Sequence, residues 1–328
     1  MTPLLEVDRL SVEFRVRGQV IRAVDEMSYS VSAGETLVLL GESGSGKSVS
    51  ALAVMGLLEQ PPAFITGGEI RFDGTDLLRA SGRQRREYRG RRIAMIFQDA
   101  LSALNPVLSV GYQIAEMMRV HQGQSKADAR RGAVELMDRV RIPAAARRYG
   151  DYPHEFSGGM RQRIMIAMAL ALGPEILIAD EPTTALDVTV QAQIVALLAE
   201  LRAERSMGMV LITHDLGLAA DVADRIAVMY AGRIVETATA EELYRAPAHP
   251  YTAGLLDSIP RASGKGEALV PIKGSPPSLA AIPTGCAFHP RCPMSADRCT
   301  AERPLLREIS GGRWSACHFA EEVLGARR

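Results

Sequence analysis

Cysteine is missing from the first 285 residues of this 328-residue sequence. An excess of either charge is missing as well: 38 Lys and Arg face 38 Asp and Glu, for a formal net charge of +0. That balance excludes the usual basic nucleic-acid-binding surface, so no nucleic-acid partner is expected. The start, Met1 to Leu10, has no basic n-region and no long apolar core, so no signal peptide is expected. The longest apolar run, Ile164 to Gly173, is stopped by Pro174 and Glu175 and falls short of the ~18 residues a membrane span needs. A soluble, cytoplasmic chain is the expectation. No internal repeat and no heptad arm is present. What remains is an ordinary globular balance, 47% hydrophobic and 23% charged. At this length one large domain with an appendage is expected.

The phosphate-binding signal is Gly41-Glu42-Ser43-Gly44-Ser45-Gly46-Lys47-Ser48. Before it, Thr36 to Leu40 reads as a buried strand, and after it Val49 to Leu58 reads as a helix, the context this motif's mechanism needs. Small residues let successive N–H groups curl around phosphate oxygens, and the helix N-terminus adds favourable dipole charge. Lys47 is expected to reach the β- and γ-phosphates of a nucleotide and the Ser48 hydroxyl to ligate Mg²⁺. Gly41, Ser43, Gly44, Ser45 and Gly46 complete the cradle.

Along the chain, Leu10 to Val16 and Val20 to Val24 flank Gly18 as a hairpin. Gly68 to Gly74 brackets another strand, and Arg83 to Arg92 is a basic, helical, solvated face. Ile93 to Phe97 is a short buried strand ending at Gln98. Val110 to Val140 reads as helical throughout. Tyr149 to Gly159 is a loop and Met160 to Leu172 an apolar helix. Ile176 to Ala179, Met209 to Thr213 and Ile226 to Met229 are strands. Helices over Gln191 to Arg205 and Leu216 to Val222 alternate with them. This alternation predicts an α/β core with a mostly parallel sheet. Residues 260 to 285, with Pro260, Pro271, Pro276, Pro277 and Pro283, read as a linker.

All four cysteines follow the linker: Cys286, five residues, Cys292, six residues, Cys299, seventeen residues, Cys317. In a reducing compartment such clustering points to metal rather than disulfides. Structural zinc sites generally use pairs separated by ~2–4 residues, and no gap here is that short. Wider arcs suit an iron–sulfur cubane held by four thiolates. The alternative is Zn²⁺, with His289 or His318 replacing a thiolate.

A second phosphate-facing stretch is Phe156-Ser157-Gly158-Gly159-Met160-Arg161-Gln162-Arg163, where small residues open a helix. Within about twenty residues a strand ends in Asp180-Glu181, an Asp for Mg²⁺ beside a Glu for the attacking water. Together these residues resemble the nucleotide-binding subunit of an ATP-binding-cassette (ABC) transporter. Gly41 to Ser48 matches its Walker A loop, Gln98 its Q-loop, and Ser157-Gly158-Gly159 its signature. Asp180-Glu181 ends Walker B, Ala185-Leu186-Asp187 matches the D-loop, and His214 the switch histidine. The signature departs in Met160, where Gln is usual, and in Phe156, where Leu is commoner.

The resemblance implies a P-loop NTPase cassette over residues 1–250: a RecA-like core, an antiparallel β subdomain and a helical subdomain. It implies ATP hydrolysis, with Glu181 polarising water and His214 contacting the γ-phosphate. Gln98 senses Mg²⁺ and water, Ser48, Gln98 and Asp180 serve Mg²⁺, and Phe14 stacks on adenine. Ser157, Gly158 and Gly159 meet the nucleotide of a second cassette in a head-to-tail dimer.

Residues 251–328 form a small Cys-rich extension. Ala248 to Thr252, Phe97-Gln98-Asp99 with Leu104-Asn105-Pro106, and Met229-Tyr230-Ala231-Gly232 resemble dipeptide and oligopeptide importer ATPases. Relatives of those import nickel or glutathione, and a soluble, non-transport cassette ATPase is the remaining alternative. The branch implies a second, different ATPase chain, two transmembrane permeases, and a periplasmic or lipoprotein substrate-binding protein. It implies a peripheral location on the cytoplasmic face of the membrane. Importer ATPases with this tail are also associated with a 4Fe–4S cluster, here through Cys286, Cys292, Cys299 and Cys317.

Overall fold

The computed structural model describes residues 3–184, 186–258 and 271–326. The chain forms two compact units, one built on Arg79–Leu211 with Ser32–Glu35, the other on Leu5–Val31, Thr36–Leu78 and Ile212–Arg328. The expected linker is described only from residue 271, so residues 260–270 lie outside the described part, as does Ala185 of the D-loop.

In the second unit a sheet runs Arg307–Ser310, Arg313–Ser315, Arg233–Thr239, Arg225–Tyr230, Thr36–Leu40. Only its last pair is parallel, with Leu37 opposite Arg225 and Leu40 opposite Val228. Thr36–Leu40 is buried at every position. An unbroken apolar run of this kind is what a strand covered on both faces requires. The helix Lys47–Met55 follows and ends at Gly56, whose φ of 59° and N–H bonds to Ala53 O and Leu52 O close the last turn. A separate antiparallel sheet has the order Gln19–Val31, Leu5–Val16, Ala63–Phe72, Thr75–Asp76. The expected hairpin about Gly18 is its first pair, and Phe14 stands opposite Ile21 and Ala63.

In the first unit Ile93–Ile96 lies parallel to Ile176–Asp180, Ile93 opposite Ile176 and Ile96 opposite Ala179, with Gly208–Thr213 on the other side of Ile176–Asp180. The helical stretch expected over 110–140 is two helices, Val110–Gln122 and Lys126–Arg139. Gly123, at φ 66°, closes the first, and the Ser125 side chain accepts the Asp128 N–H to open the second. Local capping chemistry overrides the continuous apolar periodicity there.

The C-terminal extension folds onto the strand Arg233–Thr239 of its own unit. Glu236 faces Ser315 across that pairing and is fully buried. Its two carboxylate oxygens accept the N–H groups of Ala248 (2.6 Å) and His249 (3.0 Å), and the Arg313 guanidinium stands 3.8 Å away. Those amides lead into the helix Pro250–Asp257. Burial lifts the Glu236 carboxyl to about 7 despite these partners. Burial also holds His249 down to about 3, and its Nδ1 accepts the Tyr251 N–H at 3.1 Å.

These two groups pull stability in opposite directions. Folded Glu236 keeps a proton that the unfolded chain loses near 4.5, so its contribution falls as pH rises from about 4.5 to about 7. Folded His249 refuses a proton that the unfolded chain takes up below about 6.5, so its contribution rises over about 3 to 6.5. The two offset one another below 6.5. Glu236→Gln should therefore expose the His249 slope. The stability difference, variant minus wild type, should climb with pH between 5 and 7 by on the order of 3 kcal/mol. Thermal melts across that range read this directly; a pH-independent difference would show that Glu236 is ionised throughout.

Candidate active site

The phosphate loop of the second unit starts where Thr36–Leu40 ends. A Cβ on Gly41 would lie 2.3 Å from the Met229 backbone oxygen, so glycine alone fits beside the neighbouring strand. A Cβ on Gly46 would lie 2.3 Å from the Ala23 oxygen. Gly46 is also the N-cap of Lys47–Met55, a helix start with no side-chain cap and no acidic residue in its first turn. Such an end presents N–H groups and positive dipole charge to an anion. Lys47 is buried, and its Nζ donates to the carbonyls of Gly41 (2.7 Å) and Glu42 (3.0 Å), with Ser45 Oγ at 3.5 Å. The ammonium is thus held inside the loop by the backbone that would wrap the phosphates. Ser43 and Gly44 are exposed on the loop and Ser48 is half-buried in the first helical turn.

In the first unit the strand Ile176–Asp180 delivers a buried Asp180 and, just beyond, Glu181. Glu181 has φ 44°, an uncommon conformation for a residue with a side chain. Its Oε2 accepts Gln98 Nε2 (3.0 Å) and Thr184 Oγ1 (2.8 Å). The structure therefore brings together two residues singled out in sequence, Gln98 and Glu181, and adds Thr184, which the sequence reading passed over. His214, in the second unit, is exposed between Gly208–Thr213 and the helix Leu216–Val222. The adjacent Asp215 caps that helix by accepting the Leu218 N–H at 3.1 Å.

Ser157 caps the helix Gly158–Leu170, its side chain accepting the Met160 N–H. Both departures of the signature share a partner. Arg148 sits 4.0 Å from the centroid of the Phe156 ring, and its Nη1 is 3.4 Å from Met160 Sδ. It also donates to the Glu155 carbonyl at 3.0 Å, so one guanidinium holds the loop from both sides. Arg163, the last residue of the quoted signature stretch and given no role there, donates to Val140 O (3.1 Å) and Gln193 Oε1 (3.0 Å), tying this helix to the helix Val188–Arg205.

Of the four cysteines, Cys299 is buried and the others half-buried. The Cys286 N–H donates to the Cys299 carbonyl at 2.8 Å. Burial first, and neighbouring thiols after it, raise the proton affinity of Cys286 and Cys292, and push Cys317 up to about 12. All four thiols are therefore near enough to act on one another. Among the described residues, however, no group of three or more His, Cys, Asp or Glu is arranged to hold a metal ion. His289 Nδ1 lies 2.9 Å from the Cys286 carbonyl and His318 Nε2 3.0 Å from the Glu302 carbonyl, so each ring already has a backbone partner. Neither the four-iron four-sulfur expectation nor its zinc alternative finds a metal-holding group in this arrangement of the described residues.

A family model described as ABC transporter matches residues 24–184, and one described as the C-terminal region of oligopeptide/dipeptide transporters matches residues 235–299. The dipeptide transport ATP-binding protein DppD of Escherichia coli (strain K12) is 51% identical over 322 residues, covering 98% of each chain. A putative peptide import ATP-binding protein of Brucella abortus (strain 2308) is 51% identical over 315 residues, 96% of this chain and 94% of that one. Among solved structures, the dimeric post-hydrolysis state of the ATP-binding cassette MJ0796, bound to ADP and Pi, superposes with a TM-score of 0.65. It is 26% identical and covers 72% of this chain and 98% of its own.

The signature helix makes a specific packing demand. A Cβ on Gly159 would lie 2.8 Å from Val190 Cγ1. Gly159→Ala should therefore destabilise the protein by about 1–3 kcal/mol through overpacking, and Val190→Ala in the same chain should restore much of it. Thermal melts of the single and double variants check this. Equal melting of Gly159→Ala and wild type would mean that the two helices have room to move apart.

Proposed function

Because the chain belongs to the ABC transporter family of ATP-binding proteins, we propose that it is the ATP-hydrolysing subunit powering import of di- or oligopeptides. The observation that carries the reading is the phosphate loop: a buried Lys47 on an uncapped helix start, in a strand–loop–helix setting that tolerates no Cβ at Gly41. The same subunit role with nickel or glutathione as cargo is the second reading, since cargo is chosen by other subunits. The near-full-length identity to a dipeptide transport protein favours peptides. The cassette occupies 1–250 and the extension 251–328.

The residue types divide the work. Lys47 and the loop amides of Gly41, Ser43, Gly44, Ser45 and Gly46 hold phosphate oxygens, with Phe14 against the adenine. Ser48, Gln98 and Asp180 fit the oxygen-rich ligation that Mg²⁺ prefers, and the ion would neutralise charge on the phosphates. Glu181, aligned by Gln98 and Thr184, takes a proton from the attacking water, and His214 steadies the γ-phosphate. Ser157, Gly158 and Gly159 present a capped helix start to the nucleotide of a partner cassette. A second ATPase chain, two transmembrane permeases and, indirectly, a periplasmic or lipoprotein substrate-binding protein complete the assembly, with this chain peripheral on the cytoplasmic face of the membrane. Among the described residues no helix is long and apolar enough to cross it.

The cysteines belong to the same reading as a 4Fe–4S site. The resemblance of the tail carries that assignment, and neighbouring thiols raise the proton affinity of Cys286, Cys292 and Cys317 after burial does. A multi-iron group needs a wider ligand set than one ion does, and supplies folding energy to a small domain. Anaerobic purification with iron, sulfide and zinc analysis should give iron and sulfide with a brown visible spectrum, both lost when all four cysteines become Ser. Colourless protein carrying one zinc per chain would sink this part of the proposal.

Hydrolysis has its own test. Glu181→Gln should keep ATP binding and lower hydrolysis by about a hundredfold or more. The measurement is made in the assembled transporter with the partner's site disabled. Turnover at the wild-type rate would remove Glu181 from the role of base.

A further inference from the structure

Glu42 is the second residue of the phosphate loop and has no role in the motif. It places a carboxylate in a loop shaped to bind anions. The structure fixes that residue at three points within one unit. Its carbonyl accepts Lys47 Nζ (3.0 Å), and its N–H donates to the Tyr251 hydroxyl oxygen (3.0 Å). Its carboxylate is gripped by both arms of one guanidinium: Arg291 Nη1 lies 2.7 Å from Oε2 and Nη2 3.0 Å from Oε1. Two of these anchors, Tyr251 and Arg291, come from the C-terminal extension.

Arg291 is itself held in place. Its side chain is only 5% exposed. Its Nε donates to the Lys273 carbonyl (3.2 Å), and Nη1 lies 3.4 Å from the Tyr230 hydroxyl oxygen. The rings of Tyr230 and Phe288 stand 5.8 and 5.9 Å from the guanidinium carbon. A surface pair of mobile side chains contributes little, but this bidentate pair is sheltered and pre-organised. Removing one partner of such a pair leaves the other charge uncompensated. Here the charge left behind would be negative and would sit in the backbone turn meant to wrap phosphates. Like charges at that range repel strongly outside bulk water.

We propose that Arg291 is a positioning residue of the nucleotide site: the extension supplies the cation that cancels Glu42 and makes the phosphate loop compatible with a nucleoside triphosphate. This rests on the reading of that loop as the ATP site. The extension is then part of the ATP-binding apparatus and not an independent appendage.

The test is titration of full-length protein with Mg-ATP. Arg291→Gln, which keeps the length and loses the charge, should raise the apparent Kd about tenfold or more. Glu42→Gln alone should bind as tightly as wild type or more tightly, because it leaves a cation and removes an anion. The double variant should return to within about threefold of wild type. A merely structural role gives the opposite pattern: Glu42→Gln weakens binding, and the double variant stays as weak as Arg291→Gln. Either result overturns the proposal, as does an unchanged Kd for folded Arg291→Gln. Should Arg291→Gln fail to fold, weaker binding by Glu42→Gln still decides against it. Lys47→Ala in the same series separates the two claims. If it binds as wild type does, the nucleotide reading falls and the inference with it; if only Arg291 is without effect, the inference falls alone.

Discussion

A buried ammonium needs acceptors, and Lys47 finds them in the carbonyls of its own loop, Gly41 and Glu42. Much of the second unit follows from that requirement. Those carbonyls turn inward only if the chain passes tightly against Met229 and Ala23, which is why Gly41 and Gly46 can carry no Cβ. Met229 is positioned by the parallel pairing of Arg225–Tyr230 with Thr36–Leu40, and those strands are buried because the sheet is covered. The loop ends at Gly46, the start of a helix with no side-chain cap. A helix start of that kind, beside an inward-folded lysine, suits an anion.

Strain marks the carboxylate proposed as the base in the other unit. Glu181 adopts a left-handed φ that a residue with a Cβ reaches only at a cost of about 1–3 kcal/mol. Two hydrogen bonds to Oε2, from Gln98 and Thr184, hold the side chain. The preceding strand is buried along its length and fixes where the backbone must end. A carboxylate positioned this way needs little reorganisation to align a water, which suits a general base better than a solvated surface acid.

The sequence discloses sites whose chemistry is local and conceals those whose chemistry is distant. Gly41 to Ser48 and Asp180-Glu181 are legible because each motif is contiguous, and strand and helix patterns flank them. The helix break at Gly123 was readable in principle from its Gly and Ser caps, but the apolar periodicity on either side outweighed them. Arg148 was not readable at all. Its hold on Phe156 and Met160 spans up to twelve positions and depends on how a short loop turns. The strand Arg233–Thr239 escaped notice because its buried Glu236 breaks the apolar pattern. That same glutamate is what the extension caps onto.

The two signature departures then have a physical account. A Gln at position 160 would offer an amide to its surroundings, whereas Met160 offers a polarisable sulfur, a weak acceptor to which Arg148 donates while it also donates to the Glu155 carbonyl. Phe156 in place of Leu gives the same guanidinium a ring face at 4.0 Å. Neither substitution touches Ser157 Oγ, which still caps the helix through the Met160 N–H, a backbone group that every residue except proline supplies. The groups proposed to face phosphate are the hydroxyl, the glycines and the main chain, and the side chains that changed are the ones held by Arg148. A signature loop can vary at such positions when the atoms it would offer to a ligand and the atoms that hold it in place are different.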